Sequence, residues 1–152
     1  AINKIDDLEK GEEAKEQLLF KLQQKFAFVP WAPVILISAK NKKNIFKIFE
    51  LTDKIIEERA KRISTSELNT FLQRITQKHV PASNKLRKPK FMYASQVSTN
   101  PPYFVMFFKN ARNLHFSYPR YLENELRKAY GFNGTSIELK LKESISKKRS
   151  IS

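Results

Sequence analysis

The sequence predicts two structural parts: an α/β segment over residues 1–60 and a small α+β domain over residues 61–143, followed by a basic flexible tail over residues 144–152. The first observation behind this division is the continuous apolar run Pro33–Ile37, which lies between two segments with helical periodicity. Such a run is typical of a strand buried on both faces of a parallel sheet. Because one strand cannot form a sheet alone, we expect residues 1–60 to belong to a larger domain.

The second observation is an uneven distribution of charge. Residues 1–60 carry eleven Lys and Arg against ten Asp and Glu, whereas residues 61–152 carry eighteen against five. Most of the net charge of +14 therefore belongs to the second part. A change this sharp indicates a domain boundary, which we place near residues 59–66. It also predicts that the second part meets a polyanion.

The first part is predicted to contain two helices around its strand. One runs from about Leu8 to Gln24, with acidic residues near its amino end, where the helix dipole favours them. The other runs from about Lys43 to Lys61, because mainly apolar side chains recur there at helical intervals. This stripe consists of Ile45, Ile48, Phe49, Thr52, Ile55 and Ile56.

The second part is predicted to begin with a helix. Ser64 followed by Glu67 has the spacing of a capping box, which is typical of a helix start. Pro81 is expected to end this helix because proline cannot continue the hydrogen-bond pattern. The residues predicted to share its buried face are Leu68, Phe71, Leu72, Ile75 and His79.

Two strands, a helix and a final strand are predicted to follow. The strands cover residues 91–98 and 103–109, and the helix covers residues 119–130, with Gly131 as its left-handed stop. The final strand alternates between outward charged residues and the inward residues Ile137, Leu139 and Leu141. The predicted order is α-β-β-α-β, with the helices on one face of a three-stranded sheet.

Composition excludes several classes of protein. The absence of cysteine excludes a disulfide scaffold and a Cys-ligated zinc site, and it fits a reducing compartment. With only two histidines, a His-rich metal site is also excluded. The longest apolar stretch is too short to span a membrane, and the amino end has no signal-peptide pattern. We therefore expect a cytoplasmic protein with no metal site and no membrane partner.

Two short polar motifs suggest a nucleotide site. Asn3–Asp6 reads Asn-Lys-x-Asp, and Ser38–Lys40 follows the predicted strand at its carboxyl end, where open α/β sheets bind ligands. A carboxylate at Asp6 accepts hydrogen bonds from N1–H and the exocyclic amine of guanine, which adenine does not offer. The backbone N–H of Ala39 is placed to meet guanine O6. The candidate guanine-binding residues are Asn3, Lys4, Asp6, Ser38, Ala39 and Lys40.

Both motifs also have plain structural interpretations. Asn3–Asp6 suits a solvated turn that caps the next helix, and Ser38–Lys40 suits a strand-to-helix turn. Their spacing across one helix and one strand favours the guanine site. The sequence contains no G-x-x-x-x-G-K-[ST] phosphate loop, and its only glycines are Gly11, Gly131 and Gly134. We therefore predict no catalytic residue in this chain.

The basic residues of the second part predict an RNA surface rather than a merely soluble one, because their charge excess is large. The aromatic residues of the strand at 103–108 are expected to lie in the core. With no exposed aromatic residues among the basic ones, we expect phosphate contacts with little sequence preference. His115 lies near the later basic residues. The candidate RNA-binding residues are Lys85, Arg87, Lys88, Lys90, Arg112, Arg120, Arg127 and Lys128.

Longer segments carry a resemblance to a known family. They are Arg62–Ser66, Ala94–Pro102 and Phe116–Asn124, together with the turn Gly131–Thr135. The chain resembles the carboxyl end of the Der (EngA) GTPases, bacterial proteins with two tandem GTPase domains followed by a KH-like domain. The resemblance implies an α/β fragment of a P-loop GTPase domain followed by an α+β KH-like domain. It also makes the two polar motifs the family's base-contacting motifs, with Ile5 where the family often has tryptophan.

The resemblance implies the carboxyl-terminal part of a GTP-binding GTPase that acts in biogenesis of the large (50S) ribosomal subunit, with its KH-like domain contacting rRNA. The intact parent would use GTP or GDP with Mg and hydrolyse GTP. Without the phosphate loop, this chain alone is expected to be inactive and to hold no nucleotide. Other expected partners are the GTPase domains of the same polypeptide, and no DNA is expected.

Two alternatives stay open beside this interpretation. In one, the KH-like domain acts mainly as an interdomain or protein-interaction module that relays nucleotide state. In the other, the chain is an independent RNA-binding protein, against which the guanine motifs argue. Gly131-x-x-Gly134 matches the spelling of the loop with which KH domains clamp nucleic acid. That loop joins two helices, whereas here a strand follows, so a helix stop with a tight turn is favoured.

Overall fold

The computed structural model describes residues 1–7, 11–81 and 87–144. The described residues form two compact units. The first comprises Ala1–Glu58 together with Phe132–Thr135, and the second comprises Arg59–Gly131 and the chain from Ser136 onward. The main elements in chain order are α1 (Glu12–Lys25), α2 (Phe46–Ala60), α3 (Thr65–Lys78), β1 (Lys90–Thr99), β2 (Pro102–Lys109), α4 (Tyr118–Tyr130) and β3 (Glu138–Glu143).

The prediction of a buried strand in the first unit is wrong in its extent. The run Pro33–Ile37 makes a single parallel bridge, in which Ile2 N–H donates to Ile35 (2.8 Å) and Ile37 N–H donates to Ile2 (2.8 Å). Ile37 is buried, but Val34 is 45% exposed. A strand in the interior of a sheet has a neighbour on each side, whereas in the described part of the chain this run pairs with the segment at Ile2.

The two helices of the first unit are shorter than predicted. The segment from Leu8 to residue 10, where the first helix was expected to begin, lies outside the described residues, and α1 begins at Glu12. The second helix, α2, begins at Phe46, after a turn in which Lys42 and Asn44 have positive φ angles of 54° and 61°. These left-handed residues cannot continue into a helix, which explains the later start.

The second unit contains the predicted α-β-β-α-β fold. Its three strands have the order β1-β2-β3, with β1 antiparallel and β3 parallel to the central β2. The Asn100–Pro101 peptide in the connection between β1 and β2 is cis. At the start of α3, Ser64 Oγ accepts a hydrogen bond from Glu67 N–H (3.2 Å), as the capping spacing predicts.

One face of this sheet forms the core with α3 and α4. Tyr118 on α4 meets the ring of Phe108 edge-to-face at 6.2 Å, and its hydroxyl donates to the carbonyl of His79 (3.0 Å). The prediction that both helices lie on one face of the sheet is confirmed. The side chains that are completely buried here include Leu68, Leu72, Phe104, Met106, Phe108, Leu122 and Leu126.

His79 does not belong to the buried face of α3, contrary to the sequence prediction. The helix ends at Lys78, so His79 occupies the cap position and its side chain is exposed. Its ring lies 4.6 Å from the ring of Tyr121. Helical periodicity placed His79 on the apolar face, but that periodicity no longer applies once the backbone leaves the helix.

Two side-chain amides satisfy the backbone around β1. Asn69 accepts from Ala94 N–H (2.8 Å) and donates to Ala94 C=O (2.9 Å). The buried amide of Gln96 accepts from Ile63 N–H (2.8 Å) and donates to Lys61 C=O (2.8 Å). Each amide imitates one step of a strand ladder. Together they hold α3 and the segment before it against the edge strand of the sheet.

The Gly131-x-x-Gly134 segment is a helix stop followed by a turn, as expected. Gly131 has φ 87° and its N–H donates to Arg127 C=O (2.8 Å), and Gly134 has φ 77°. The chain then enters β3 rather than a helix. Within the first unit, Gly134 N–H donates to Trp31 C=O (2.9 Å) and Asn133 N–H donates to Glu58 (3.2 Å).

Candidate guanine site and basic surface

The two polar motifs of the first unit lie next to each other. The bridge between Ile2 and Leu36 aligns them, and Ile5 N–H adds a bond to Ile37 C=O (3.2 Å). As a result, Asn3 Oδ1 accepts from Ala39 N–H (3.0 Å) across 36 residues of sequence and also from Lys4 N–H (2.8 Å). Asn3 therefore ties the two loops together, and in this structure it occupies the Ala39 N–H that was assigned to guanine O6.

Ser38 connects the same loops through its hydroxyl. Ser38 Oγ donates to Asp6 Oδ1 (2.5 Å) and accepts from Asn41 N–H (3.1 Å), and the residue is almost completely buried. The hydrogen bond from Ser38 is the main cause that lowers the pKa of Asp6 below its ordinary value, and the positive charges of Lys40 and Lys4 lower this pKa further. Asp6 is therefore a carboxylate acceptor at neutral pH.

The side chains of Lys4 and Lys40 are exposed, and their charges act on this carboxylate. Lys4 has a positive φ of 68°, which turns the backbone sharply between Asn3 and Asp6. An anionic acceptor near cationic groups suits a base that donates hydrogen bonds from its edge, which is the type of group that the sequence predicted for this site.

Part of the predicted RNA-binding loop is anchored by asparagine side chains. Asn113 Nδ2 donates to Arg87 C=O (2.7 Å), and Asn110 Nδ2 donates to Lys88 C=O (3.1 Å). These bonds bring the backbone of Arg87 and Lys88 next to the 3-10 turn Ala111–Asn113, which carries Arg112. We call Arg87, Lys88, Lys90 and Arg112, all of which are exposed, the basic surface.

The turn that carries Arg112 is itself fixed by β3. The two carboxylate oxygens of Glu143 accept from Asn110 N–H and Ala111 N–H, each at 2.7 Å. Asn110 has a left-handed φ of 55°, which asparagine tolerates better than most residues. These anchoring residues were missed in the sequence, where the only signal was an asparagine at each end of a short Asn-Ala-Arg-Asn stretch directly after a strand.

The other predicted RNA-binding residues occupy different environments. Lys85 lies outside the described residues. On α4, Arg120 is exposed, whereas Arg127 donates through Nε (3.0 Å) and Nη2 (2.8 Å) to Glu123. Lys128 donates to Glu125 (2.7 Å), and this bond raises the pKa of Lys128. The structure thus brings together Arg87, Lys88, Lys90 and Arg112, while Arg127 and Lys128 already have carboxylate partners.

The expectation that no aromatic residue is exposed among the basic ones is wrong. Phe116 is 87% exposed in the segment between Arg112 and α4, and its ring lies 4.3 Å from that of His115. Tyr93 on β1 is 50% exposed. The reason is that Tyr93 lies opposite Phe107 on the outer face of the sheet, and that Phe116 lies in the segment before α4, outside the sheet.

The family model described as "KH-domain-like of EngA bacterial GTPase enzymes, C-terminal" matches residues 62–142. The chain belongs to the EngA (Der) family. Its match to the carboxyl-terminal domain of that family confirms the resemblance and the KH-like assignment of the second unit.

Relatives named GTPase Der support the same conclusion along most of the chain. The protein from Thermomicrobium roseum is 42% identical over 145 residues, which cover 94% of this chain and 32% of the relative. The protein from Desulforamulus reducens is 38% identical over 141 residues (93% and 32%), and that from Geotalea uraniireducens is 37% identical over 148 residues (97% and 34%). The chain spans about a third of the length of these curated relatives.

The chain is therefore a member of a GTPase family, whose curated relatives are named GTPase Der. Among the residues that the structure describes, none of the helices of this EngA-family chain is both long and apolar enough to cross a membrane.

Proposed function

We propose that the chain is the carboxyl-terminal part of a cytoplasmic GTPase that assembles the large ribosomal subunit. The first unit then supplies guanine recognition, and the basic KH-like second unit contacts rRNA. The observation that carries the first role is the joint geometry of Asn3, Asp6 and Ser38. The observation that carries the second is the anchoring of Arg87 and Lys88 beside Arg112.

Guanine selectivity would come from Asp6. Its carboxylate is ionised and held by Ser38 (2.5 Å), so it can accept from the two donors on the guanine edge. An adenine would leave this partly buried acceptor unmatched, which is costly. The candidate residues Asn3, Lys4, Asp6, Ser38, Ala39 and Lys40 remain our proposal for the base site of the parent, which would bind GTP or GDP with Mg. For guanine O6 to accept from Ala39 N–H, this N–H would have to leave or share Asn3 Oδ1.

The base site alone is not expected to hold GTP. Most of the affinity for GTP comes from backbone N–H groups, a lysine and a magnesium ion around the phosphates, and the printed sequence has no phosphate-loop motif. Titration calorimetry with GTP and GDP should therefore give no saturable micromolar binding, and a phosphate-release assay should give no turnover above buffer. Saturable binding or turnover would contradict the expectation that this chain alone neither holds nor hydrolyses GTP.

RNA binding by the basic surface would depend on phosphate contacts. Arg87, Lys88, Lys90 and Arg112 are exposed, and asparagine amides hold the backbone of the first two. Cationic side chains on a fixed backbone bind phosphates with less loss of conformational entropy than cations on a mobile loop. Lys85 and Arg120 extend this proposal along the chain, whereas Arg127 and Lys128 would have to leave Glu123 and Glu125 first.

A salt series with a large-subunit rRNA fragment tests this role. We expect the double variant Arg87→Ala/Lys88→Ala to bind more weakly and to reduce the slope of log K against log salt by about 1 to 2. The control is Lys47→Ala/Lys54→Ala, which removes the same charge from exposed positions on α2 and should leave the slope nearly unchanged. If the two double variants lose the same affinity, binding depends on net charge and not on this surface.

The alternative function is an interdomain module that relays nucleotide state. It is favoured by the grouping of Phe132–Thr135, which leads from α4 to β3, with the first unit. Under this alternative, the RNA affinity of Arg87→Ala/Lys88→Ala equals that of the parent chain at every salt concentration. Amide hydrogen exchange of the intact parent would instead change around residues 132–135 between its GDP and GTP states.

A further inference from the structure

The face of the sheet that points away from α3 and α4 carries both aromatic rings and lysines. Tyr93 and Phe107 lie opposite each other on β1 and β2, and their rings stack at 4.4 Å with 14° between their planes. We propose that this outer sheet face binds an unpaired segment of RNA, with a base stacked on Tyr93 and phosphates on the surrounding lysines. This inference rests on the proposed RNA function and adds a second surface to it.

The stacked pair leaves one ring face available. Within the described residues, β1 is an edge strand of the sheet, so no other strand lies beside Tyr93 on its far side. Its side chain is 50% exposed, although its partner ring covers one face. A base placed on the other face would extend an existing parallel stack from two rings to three. Every base has a π-face, so this contact needs no particular sequence.

The charges around the pair select a polyanion. Lys90 and Lys109 form a cross-strand pair next to the rings, Lys140 lies opposite Val105, and Lys142 lies opposite Phe107. All four lysines are exposed, and on the described strands this face also carries the carboxylate of Glu138, opposite Tyr103. Like charges on adjacent strands repel each other, so a bound phosphate backbone would relieve this repulsion.

The aromatic component distinguishes this face from the basic surface. A duplex keeps its bases stacked on each other and presents phosphates and groove edges, so it cannot use Tyr93. A single strand offers both phosphates and exposed base faces. Lys90 belongs to both surfaces, so the two adjoin. A structured RNA could therefore place a duplex on the basic surface and an unpaired segment on the sheet.

Fluorescence anisotropy separates the two surfaces. The probes are a labelled single-stranded oligouridylate and an RNA duplex of the same length, and the protein is the full chain. Tyr93→Ala should weaken binding of the single strand about tenfold and leave binding of the duplex unchanged. Tyr93→Phe keeps the ring and should bind the single strand as tightly as the unmutated chain does. Val97→Ala is the matched control, because Val97 lies on the same strand with the same 50% exposure.

The lysines are tested on the same probes. Lys140→Ala/Lys142→Ala should reduce the salt slope for the single strand by about 1.4, the value for two phosphate contacts. Tyr93→Ala should not change that slope, since stacking releases no counterions. Circular dichroism melting of each variant checks that the fold is retained, and Val97→Ala shows how much affinity follows from a small loss of stability.

Four results would overturn the proposal. Equal affinity of Tyr93→Ala and the parent chain for the single strand removes the stacking contact. If Tyr93→Ala loses binding to the separately expressed GTPase domains of the intact protein while its RNA affinity is unchanged, the face binds a protein partner instead. Failure of the parent chain to bind either RNA would reject the proposed RNA function as well, whereas duplex binding without single-strand binding rejects this inference only.

Discussion

The two units of this chain differ in how they place their large apolar side chains: among the described residues, seven of the exposed ones belong to the first unit and four, including Phe116, belong to the second. In the second unit, Phe104, Phe108 and Leu72 are completely buried between the sheet and its helices. In the first unit, Phe46 is 77% exposed and Phe28 is 73% exposed. The difference shows that burial is a property of the assembled fold and not of residue type. Phenylalanine is a core residue at position 104 and an exposed residue at position 46.

The exposed apolar residues of the first unit form more than a random scatter. Six are on or next to α1 and α2, and Val34 lies in the run that was predicted to be a buried strand. Contiguous exposed apolar patches are typical of interaction sites, whereas single exposed apolar residues are common on any protein surface. The exposed apolar residues of the first unit are Phe20, Phe26, Phe28, Phe46, Phe49, Ile56 and Val34.

The largest predicted effect tests this contrast directly. Phe104→Ala should lower the free energy of unfolding of the second unit by about 3 to 5 kcal/mol, because it removes a completely buried ring and leaves a cavity. Phe46→Ala should change the free energy of unfolding of the first unit by no more than about 0.5 kcal/mol. Urea denaturation followed by circular dichroism measures both. Similar losses for the two variants would show that Phe46 is buried in solution.

A smaller effect is expected where the second unit depends on a polar side chain. Gln96→Leu keeps the volume roughly constant but removes both hydrogen bonds of the buried amide, to Ile63 N–H and Lys61 C=O. The expected loss is about 2 to 3 kcal/mol, because a buried donor and its neighbouring acceptor lose their partners.

The matched variant for this test is Asn69→Leu, which removes the two bonds to Ala94 from a less buried position. Its loss should therefore be smaller than that of Gln96→Leu. Equal stability of Gln96→Leu and the parent chain would mean that water or another group replaces the amide.

Much of the second unit could be predicted from the sequence, since its signals are local. Helix periodicity identified Leu68, Leu72 and Ile75, the capping spacing located Ser64, and strand alternation placed Leu139 and Leu141 inward. The errors occur where local periodicity ends. His79 lies one residue beyond its helix, and the apolar run Pro33–Ile37 needs partner strands that periodicity cannot supply.

The candidate sites divide in the same way. The pairing of Asn3 with Ser38–Lys40 was predictable, because strand ends of an α/β sheet meet at one edge. The hydrogen bond from Ala39 N–H to Asn3 Oδ1 (3.0 Å) was not predictable, because it depends on a loop contact across 36 residues. The anchoring of Arg87 by Asn113 likewise depends on tertiary distance alone. Sequence patterns therefore identify chemical groups, while their partners come from the fold.

The smallest predicted effect concerns pH and belongs to the first unit. Ser38 holds the pKa of Asp6 below its ordinary value of 3.8 through the hydrogen bond between Ser38 Oγ and Asp6 Oδ1. Because the folded pKa is lower than the unfolded one, the bond stabilises the first unit fully above about pH 4. This contribution is lost as the pH falls through the folded pKa of Asp6.

Ser38→Ala should therefore raise the pKa of Asp6 towards 3.8 and remove this part of the acid dependence. Carboxyl chemical shifts recorded by NMR across a titration from pH 6 to pH 2 measure the pKa directly. Asn41→Ala is the control, because it alters the neighbouring side chain while keeping the backbone N–H that donates to Ser38 (3.1 Å). An unchanged Asp6 pKa in Ser38→Ala would show that the backbone hydrogen bond to Asp6 and the charges of Lys40 and Lys4, rather than Ser38, hold this pKa below its ordinary value.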